Sequence, residues 1–167
     1  MRDGEAGPVV RDATAADHPA IVALNRRYVE LTSPMDARRL AHLDAQSACH
    51  RVVEGGGDVA AFLLAFREGA DYDSPNYLWF AQRYPRFLYV DRVVVAVPHQ
   101  GHGFGRQLYD DLFAFAHASG VQYITCEFDI EPPNEASRRF HARYGFDEVG
   151  TQALPKGKRV SLQLARL

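Results

Sequence analysis

A short stretch of the chain alternates glycines with larger residues, directly after a run of β-branched residues. Within VVVAVPHQGHGFGRQLYDDLFAF, residues 93–115, three glycines stand between a strand-like run and an amphipathic, helix-like segment. Glycine permits positive φ and a close approach of the backbone to a ligand. Amides at the start of the helix can then converge on an anion, which the helix dipole also favours. The pattern predicts a phosphate-binding loop.

The glycine spacing excludes two common classes of phosphate loop. The stretch GHGFG, residues 101–105, does not follow the G-x-G-x-x-G pattern of dinucleotide-binding folds. It also lacks the Gly-Lys-Ser/Thr ending of nucleoside triphosphatase loops. Taken alone, the pattern leaves open a tight loop that only reverses the chain.

Two motifs together resemble a known family. The stretch QGHGFG, residues 100–105, resembles the Q/R-x-x-G-x-G/A motif of the GNAT superfamily, the GCN5-related N-acetyltransferases. Downstream, NEASRRF, residues 134–140, followed by YGF, residues 144–146, resembles that family's second motif. One predicted helix and one predicted strand separate the two motifs, as the family requires. The resemblance covers residues 87–150 in detail and implies transfer of an acetyl group from acetyl-CoA to a primary amine.

The resemblance also implies a cofactor site. The pyrophosphate of acetyl-CoA would lie on the loop amides, with His102 beside the phosphates and Phe104 packed under the loop. The backbone of the preceding strand would pair with the pantetheine arm, and a free N–H near Val94 would stabilise the oxyanion. Asn134 would contact the pantetheine or cap a helix. The cofactor-binding residues expected are Val93, Val94, Val95, Gln100, Gly101, His102, Gly103, Phe104, Gly105, Arg106 and Asn134.

Acetyl transfer requires a proton acceptor, because an ammonium must lose a proton before it attacks the thioester. Glu127 is the first candidate, since it lies on the strand that splays away in the family, where a carboxylate often faces the amine. Asp91 and Asp129 are competitors. An ion pair of Glu127 with a neighbouring arginine is the structural alternative.

The proton donor is where the sequence departs from the family. The usual tyrosine is replaced by His141, whose imidazole can donate a proton near neutrality. Tyr144, one turn along, is the alternative donor. A spacer role for His141, with neither residue essential, also stays open.

The segment Glu68–Pro85 mixes acidic residues with large aromatic ones and predicts a long functional loop with one helical turn. Such a lining suits a small-molecule amine with an apolar body, which is favoured over a protein acceptor. A minor core or a homodimer contact is the alternative use of these aromatics. The alternative function is a non-catalytic acyl-CoA-binding sensor, because the family's tyrosine is missing.

The elements that must position these residues follow the order β-α-α-β-β-β-α-β-α-β-β. We predict an α+β GNAT fold, with a central mixed, mostly antiparallel sheet of about seven strands flanked by about four helices. The first helix is predicted from Ile21, Leu24, Tyr28 and Leu31, and it starts at Thr14 and Asp17. Residues 1–167 are predicted to form a single domain.

Composition excludes several function classes. With 167 residues, a formal net charge of −2 and a pI near 6.4, nothing predicts a nucleic acid or membrane partner. The N-terminal residues 1–13 lack a signal-like apolar run, and a cytoplasmic location is expected. Cys49 and Cys126 are expected to be buried free thiols, although one disulfide stays open. His99 and His102 lack further ligands at a suitable spacing, so no metal is expected.

Overall fold

The computed structural model describes residues 8–29 and 32–167. In these residues seven strands form one sheet in the order β1-β2-β3-β4-β5-β7-β6. The strands are β1 (Val9–Asp12), β2 (Cys49–Gly55), β3 (Asp58–Arg67), β4 (Leu88–Val95), β5 (Tyr123–Glu131), β6 (Asp147–Ala153) and β7 (Arg159–Arg166).

Five α-helices accompany the sheet in the same described residues. They are α1 (His18–Arg27), α2 (Ala37–Gln46), α3 (Pro75–Ala81), α4 (Phe104–Ala118) and α5 (Glu135–Arg143). Strand β4 pairs with β5 in parallel, whereas β1–β2, β2–β3, β5–β7 and β6–β7 are antiparallel. The predicted α+β fold with a mixed, mostly antiparallel sheet is confirmed.

One helix was predicted as a single turn within a loop. Inside Glu68–Pro85, α3 runs for 7 residues. The Ser74 side chain accepts a hydrogen bond from the Tyr77 amide, and Pro75 occupies the first helical position, where its missing N–H costs nothing. This short helix raises the helix count from the expected four or so to five.

The first helix is shorter than predicted. Thr14 precedes a 3₁₀ turn, Ala15–Asp17, whose Asp17 carboxylate accepts the Thr14 amide at 2.7 Å, and α1 continues from this turn at His18. The helix ends at Arg27, because Tyr28 leaves the helical region with φ −120°. The Thr32 hydroxyl then donates to the Tyr28 carbonyl. Leu31, which was assigned to this helix, lies outside the described residues.

The chain divides into two compact units, each described separately. The first contains Arg92–Phe115 and the described residues up to Ala65. It holds the antiparallel strands β1 and β2 and most of β3, together with α1, α2 and most of α4. Its fully buried apolar side chains include Ile21, Leu40, Leu43, Val52, Phe62 and Leu64.

The second unit contains Phe66–Asp91 and Ala116–Leu167. Strand β7 lies between β5 and β6 there, with Glu127 opposite Leu162 and Asp129 opposite Val160. Val160 in turn pairs with Gln152 on β6. Because side chains alternate along a strand and paired residues share a face, Glu127, Asp129 and Gln152 lie on one face of this part of the sheet.

Aromatic side chains form the interior of the second unit. Tyr77 is 1% exposed, and its ring centroid lies 5.6 Å from those of Phe87 and Tyr89. Its hydroxyl donates to the Arg67 carbonyl at 2.7 Å and accepts the Ala70 amide at 3.0 Å. The aromatic run in this segment therefore builds a local core, as one of the two interpretations of the sequence predicted.

Candidate active site

The glycine stretch adopts the backbone conformation that its composition predicts. Gly101 has φ +79° and Gly103 has φ +82°, values that side chains with a Cβ rarely adopt. No atom beyond the chain neighbours lies within 4 Å of a Cβ built at either residue. The loop between β4 and α4 therefore presents open backbone, which an anion can approach.

The start of α4 adds amides to this loop. The amide of Gln107 donates to the Gly103 carbonyl at 3.0 Å and makes the first helical hydrogen bond. The geometry of a helix leaves the amides of the preceding turn without intrahelical partners. These amides include those of Phe104 and Gly105, two of the predicted cofactor residues, and the exposed side chain of Arg106 follows them.

Packing under the loop comes from an imidazole ring. His99 stacks on Phe104 with ring centroids 5.4 Å apart and planes 26° apart. A Cβ built at Gly55 would lie 3.2 Å from the His99 ring, so the end of β2 also packs close to this ring. Phe104 is 7% exposed and supports the loop, as predicted.

Other predicted cofactor residues lie on the strand and loop surface. Val94 is buried, whereas Val93 and Val95 on the opposite face of β4 are half-buried. The side-chain Nε2 of Gln100 donates to the Val95 carbonyl at 3.1 Å. His102 is exposed, and its Nδ1 lies 3.0 Å from the Gln100 carbonyl.

In the second unit, Glu127 receives hydrogen bonds from two elements. The Tyr89 hydroxyl on β4 donates to the Glu127 carboxyl at 2.7 Å. The amide of Asn76 on α3 donates a second hydrogen bond to it. The Asn76 Oδ1 is itself held by the Gln152 Nε2 on β6 at 3.0 Å. No arginine bonds Glu127 among these contacts, so the ion-pair interpretation finds no support in the described residues.

The surroundings of Glu127 change its acidity. Burial of the carboxyl raises its pKa to about 8, and repulsion from Asp91 and Asp129 contributes in the same direction. The hydrogen bonds from Tyr89 and Asn76 oppose this rise, because they stabilise the charged form. The side chain is only partly exposed. Glu127 is thus a carboxyl that exchanges its proton slightly above neutrality.

The two competing carboxylates have partners of their own. The Tyr72 hydroxyl donates a hydrogen bond to Asp91. The Lys158 ammonium lies 3.8 Å from Asp129. Both acids act on Glu127 through their charge.

The second motif begins α5. The Asn134 Oδ1 accepts the Ser137 amide at 3.2 Å, so Asn134 is the N-cap of the helix. Tyr144 caps the other end, with its ring centroid 5.3 Å from that of Phe140. The helix-capping role predicted for Asn134 is present.

His141 is enclosed by α5 and aromatic rings. It is 5% exposed, and its ring contacts those of Phe128 and Phe146. Its Nδ1 lies 2.7 Å from the Ser137 carbonyl, to which it donates. Burial lowers the pKa of His141, so the imidazole is neutral at pH 7.

The structure does not bring His141 to Glu127. Phe128, which contacts the His141 ring, follows Glu127 directly in β5. Successive side chains of a strand point to opposite faces, so Glu127 and His141 lie on opposite faces of β5. The predicted base and the predicted acid therefore do not act as a contacting pair.

Three residues of the Glu127 cluster were missed by sequence reasoning. Asn76 lies 51 residues before Glu127 in the sequence (127 − 76), and Tyr89 lies 38 residues before it (127 − 89). Gln152 lies 25 residues after it (152 − 127). Tyr89 alone had a usable signal, since alternation along β4 places it on the same face as Asp91. The other two belong to a short helix and an edge strand without any motif.

The part of the chain that the structure describes contains both cysteines. Cys49 and Cys126 are buried free thiols, as predicted, and burial raises the pKa of Cys49 to about 11. No group of three or more His, Cys, Asp or Glu residues there has an arrangement suited to a metal ion. No helix in residues 8–29 and 32–167 is long and apolar enough to span a membrane.

A curated protein matches a short part of the chain. Phosphinothricin N-acetyltransferase from Streptomyces coelicolor is 44% identical over 59 residues, which is 35% of this chain. The match spans only 33%, about a third, of that relative's length.

Solved structures match over nearly the whole chain. An N-acetyltransferase from Staphylococcus aureus Mu50 has a TM-score of 0.74 at 20% identity. The alignment covers 96% of this chain and 99% of that protein's chain. The Salmonella typhimurium protein yncA, solved with its cofactor acetyl-CoA, has a TM-score of 0.73 at 22% identity. Its alignment covers 97% of this chain and 95% of the yncA chain. At these identities the likeness shows the fold.

The profile of the acetyltransferase (GNAT) family matches residues 15–146, a range that contains the glycine loop, Glu127 and α5. This range covers most of the chain and agrees with the sheet order and the two motifs. The chain therefore belongs to the acetyltransferase (GNAT) family.

Proposed function

We propose that this chain transfers the acetyl group of acetyl-CoA to a primary amine, by direct attack within a ternary complex. The observation that carries the proposal is the Glu127 carboxyl, which is partly exposed and has its pKa raised to about 8. Family membership supports the reaction type. The presence of acetyl-CoA in the yncA structure supports the co-substrate.

The glycine loop fits the phosphate part of acetyl-CoA. Open backbone at Gly101 and Gly103, followed by the first turn of α4, offers amide donors and the positive end of a helix dipole. When bound, acetyl-CoA supplies the thioester carbonyl that the amine attacks. The role of the loop is to hold the pyrophosphate through its amides.

Glu127 is proposed as the general base. A primary ammonium must lose its proton before its nitrogen can attack, and a base is most effective when its pKa lies near the working pH. Below pH 8 the carboxyl is mostly protonated, so activity should rise with pH up to about 8.

His141 is proposed to orient α5 and not to donate a proton. Its Nδ1–H is bound to the Ser137 carbonyl, and a neutral imidazole with a proton on Nδ1 has none on Nε2. A free thiol has a pKa of about 8.5, so near pH 8 the departing thiolate can take its proton from water without a dedicated protein acid. Tyr144 stays the alternative donor.

The acceptor is proposed to be a small-molecule amine. The carboxylates of Asp91 and Asp129, near Glu127, favour a cation in this part of the second unit. The named activity of the Streptomyces coelicolor relative, phosphinothricin N-acetylation, agrees with a small acceptor, although the match covers a third of that protein.

Calorimetric titration with acetyl-CoA tests the cofactor assignment, with NADH as the control ligand. We expect saturable binding of acetyl-CoA alone. In the Gly103→Asp variant, affinity should fall at least about tenfold, because a carboxylate beside the loop amides repels the phosphates. Gly57→Asp is the matched control: Gly57 in the β2–β3 turn also has positive φ and no atom within 4 Å of a built Cβ.

A second experiment measures the release of free thiol from acetyl-CoA in the presence of each amine of a panel. Turnover with small amines supports the proposed acceptor, whereas turnover with peptide N-termini alone would replace it with a protein acceptor. Absence of acetyl-CoA binding, or equal weakening by the two aspartate variants, would refute the proposed loop function.

A further inference from the structure

Asn76 is a buried polar residue whose amide is oriented by its partners. It lies on α3 and is 7% exposed. The Gln152 Nε2 donates to its Oδ1 at 3.0 Å, so the carbonyl side of the Asn76 amide faces β6. The NH₂ side is then directed to the Glu127 carboxyl, to which it donates. An amide has one acceptor side and one donor side, so Gln152 determines which of them Glu127 meets.

The three residues are held on one face of the sheet by independent packing. Gln152 and Glu127 share that face through the β5–β7–β6 register. The helix that carries Asn76 is seated on the same face, because the Trp79 ring lies against Gly150 of β6, where a built Cβ would be only 2.5 Å away. The packing of α3 on this face therefore brings the Asn76 side chain to both Gln152 and Glu127.

We propose that Asn76 and Gln152 are positioning residues for Glu127: Gln152 orients the Asn76 amide, and this amide orients the Glu127 carboxylate and stabilises its ionised form. The inference rests on the proposed function in taking Glu127 as the base. It extends that function to Gln152 on β6, which acts through its hydrogen bond to Asn76.

The charges around Glu127 explain why such donors are needed. Asp91 on β4 and Asp129 on β5, the strand of Glu127, both disfavour ionisation of the Glu127 carboxyl. Asp91 is bonded by the Tyr72 hydroxyl, and Asp129 has the Lys158 ammonium at 3.8 Å. The groups that directly favour the ionised carboxylate are the Tyr89 hydroxyl and the Asn76 amide. Loss of the amide leaves one of two donors, so the carboxyl should titrate at a higher pH.

The test compares three leucine variants of the full chain. Asn76→Leu removes the donor, Gln152→Leu removes only the residue that orients it, and Gln163→Leu is the matched control. Gln163 is a buried glutamine on β7 that donates to the Ser161 hydroxyl at 2.6 Å. It pairs with Cys126 and therefore lies on the face opposite Glu127.

Two readouts are taken for each variant: titration of the Glu127 carboxyl by ¹³C NMR, and kcat against pH for acetyl transfer. For Asn76→Leu we expect the midpoint to rise by about one pH unit, with kcat at pH 7 about tenfold lower, since each unit lowers the ionised fraction tenfold. Gln152→Leu should raise the midpoint by a smaller amount. Gln163→Leu should leave it unchanged, and KM for acetyl-CoA should be constant throughout.

The outcomes separate the inference from the function on which it rests. An unchanged midpoint in Gln152→Leu, or an equal shift in the Gln163→Leu control, would overturn the positioning role. The Gln152 variant decides this even if Asn76→Leu does not fold, because Gln152 is only partly buried. If the midpoints shift as expected but Glu127→Gln keeps full turnover, the positioning relation stands and the base assignment fails.

Discussion

Glu127 shows how a single side chain acquires its chemistry from neighbours on other elements. An exposed glutamate has a pKa near 4.5. Here burial and two nearby carboxylates raise the pKa to about 8, while hydroxyl and amide donors keep the ionised form accessible. The same residue type at the edge of this sheet would be an ordinary surface charge.

Replacing Glu127 with glutamine tests its role at the residue scale. The amide keeps the shape of the side chain but cannot accept a proton from an ammonium. We expect kcat to fall by roughly 10² to 10⁴, the usual contribution of general base catalysis. The rise of kcat/KM toward pH 8 should also disappear, while calorimetric affinity for acetyl-CoA is retained. Full turnover of the variant between pH 6 and 9 would contradict the assignment.

At the scale of elements, the short helix α3 connects the aromatic core to the Glu127 cluster. Its Trp79 ring lies against Gly150, and the Arg83 guanidinium carbon is 3.9 Å from the ring centroid. Only a residue without a Cβ permits the ring to approach β6 this closely. Gly150 therefore determines where α3, and Asn76 with it, can lie.

The Gly150→Ala variant tests the contact between the Trp79 ring and β6. The added methyl group would stand 2.5 Å from the Trp79 ring, which must shift. We expect a loss of roughly 1 to 3 kcal/mol in unfolding free energy, typical of an overpacked contact. Trp79 is the one tryptophan in the sequence, so its fluorescence emission reports the shift directly.

A double variant provides the control for the seat. Trp79→Phe in the Gly150→Ala background removes the larger ring, so the two effects should be less than additive. Unchanged emission and stability in Gly150→Ala, or strict additivity in the double variant, would show that Trp79 does not depend on this glycine.

At the scale of the whole molecule, a raised carboxyl pKa affects the stability of the fold. Between the unfolded pKa, which is near the ordinary value of 4.5, and the folded value of about 8, the folded chain holds a proton on Glu127 that the unfolded chain has released. Stability is linked to the difference in bound protons. The contribution of Glu127 is therefore fully present below pH 4.5 and is lost as the pH rises toward 8.

Thermal unfolding between pH 5 and 9 measures this contribution. Glutamine at position 127 has no proton to lose, so the stability of Glu127→Gln relative to the parent chain should increase with pH and level off above about 8. The slope should not exceed ~1.4 kcal/mol per pH unit, and water near the carboxyl reduces it. The other groups titrate in both proteins and cancel in the difference. A difference independent of pH would show that the carboxyl has an ordinary acidity.

The sequence by itself determined the features that depend on local order along the chain. The glycine loop, the second motif and the strand and helix periodicities are contiguous patterns, and from them follow the family, the α+β fold and the choice of Glu127. Thr14 and Asn134 were also recognisable as helix starts, because a cap acts on amides two or three residues away.

Only the tertiary structure decided which distant residues surround Glu127. Asn76 and Gln152 come from different elements, and no spacing rule relates them to residue 127. The seven-residue α3 is shorter than the window over which helical periodicity is read, so it was predicted as one turn in a loop. His141 was predicted to face the chemistry, but strand alternation and the Phe128 contact place it on the other face of β5. Local patterns specify which groups a chain carries, whereas strand register and helix seating decide which of them meet.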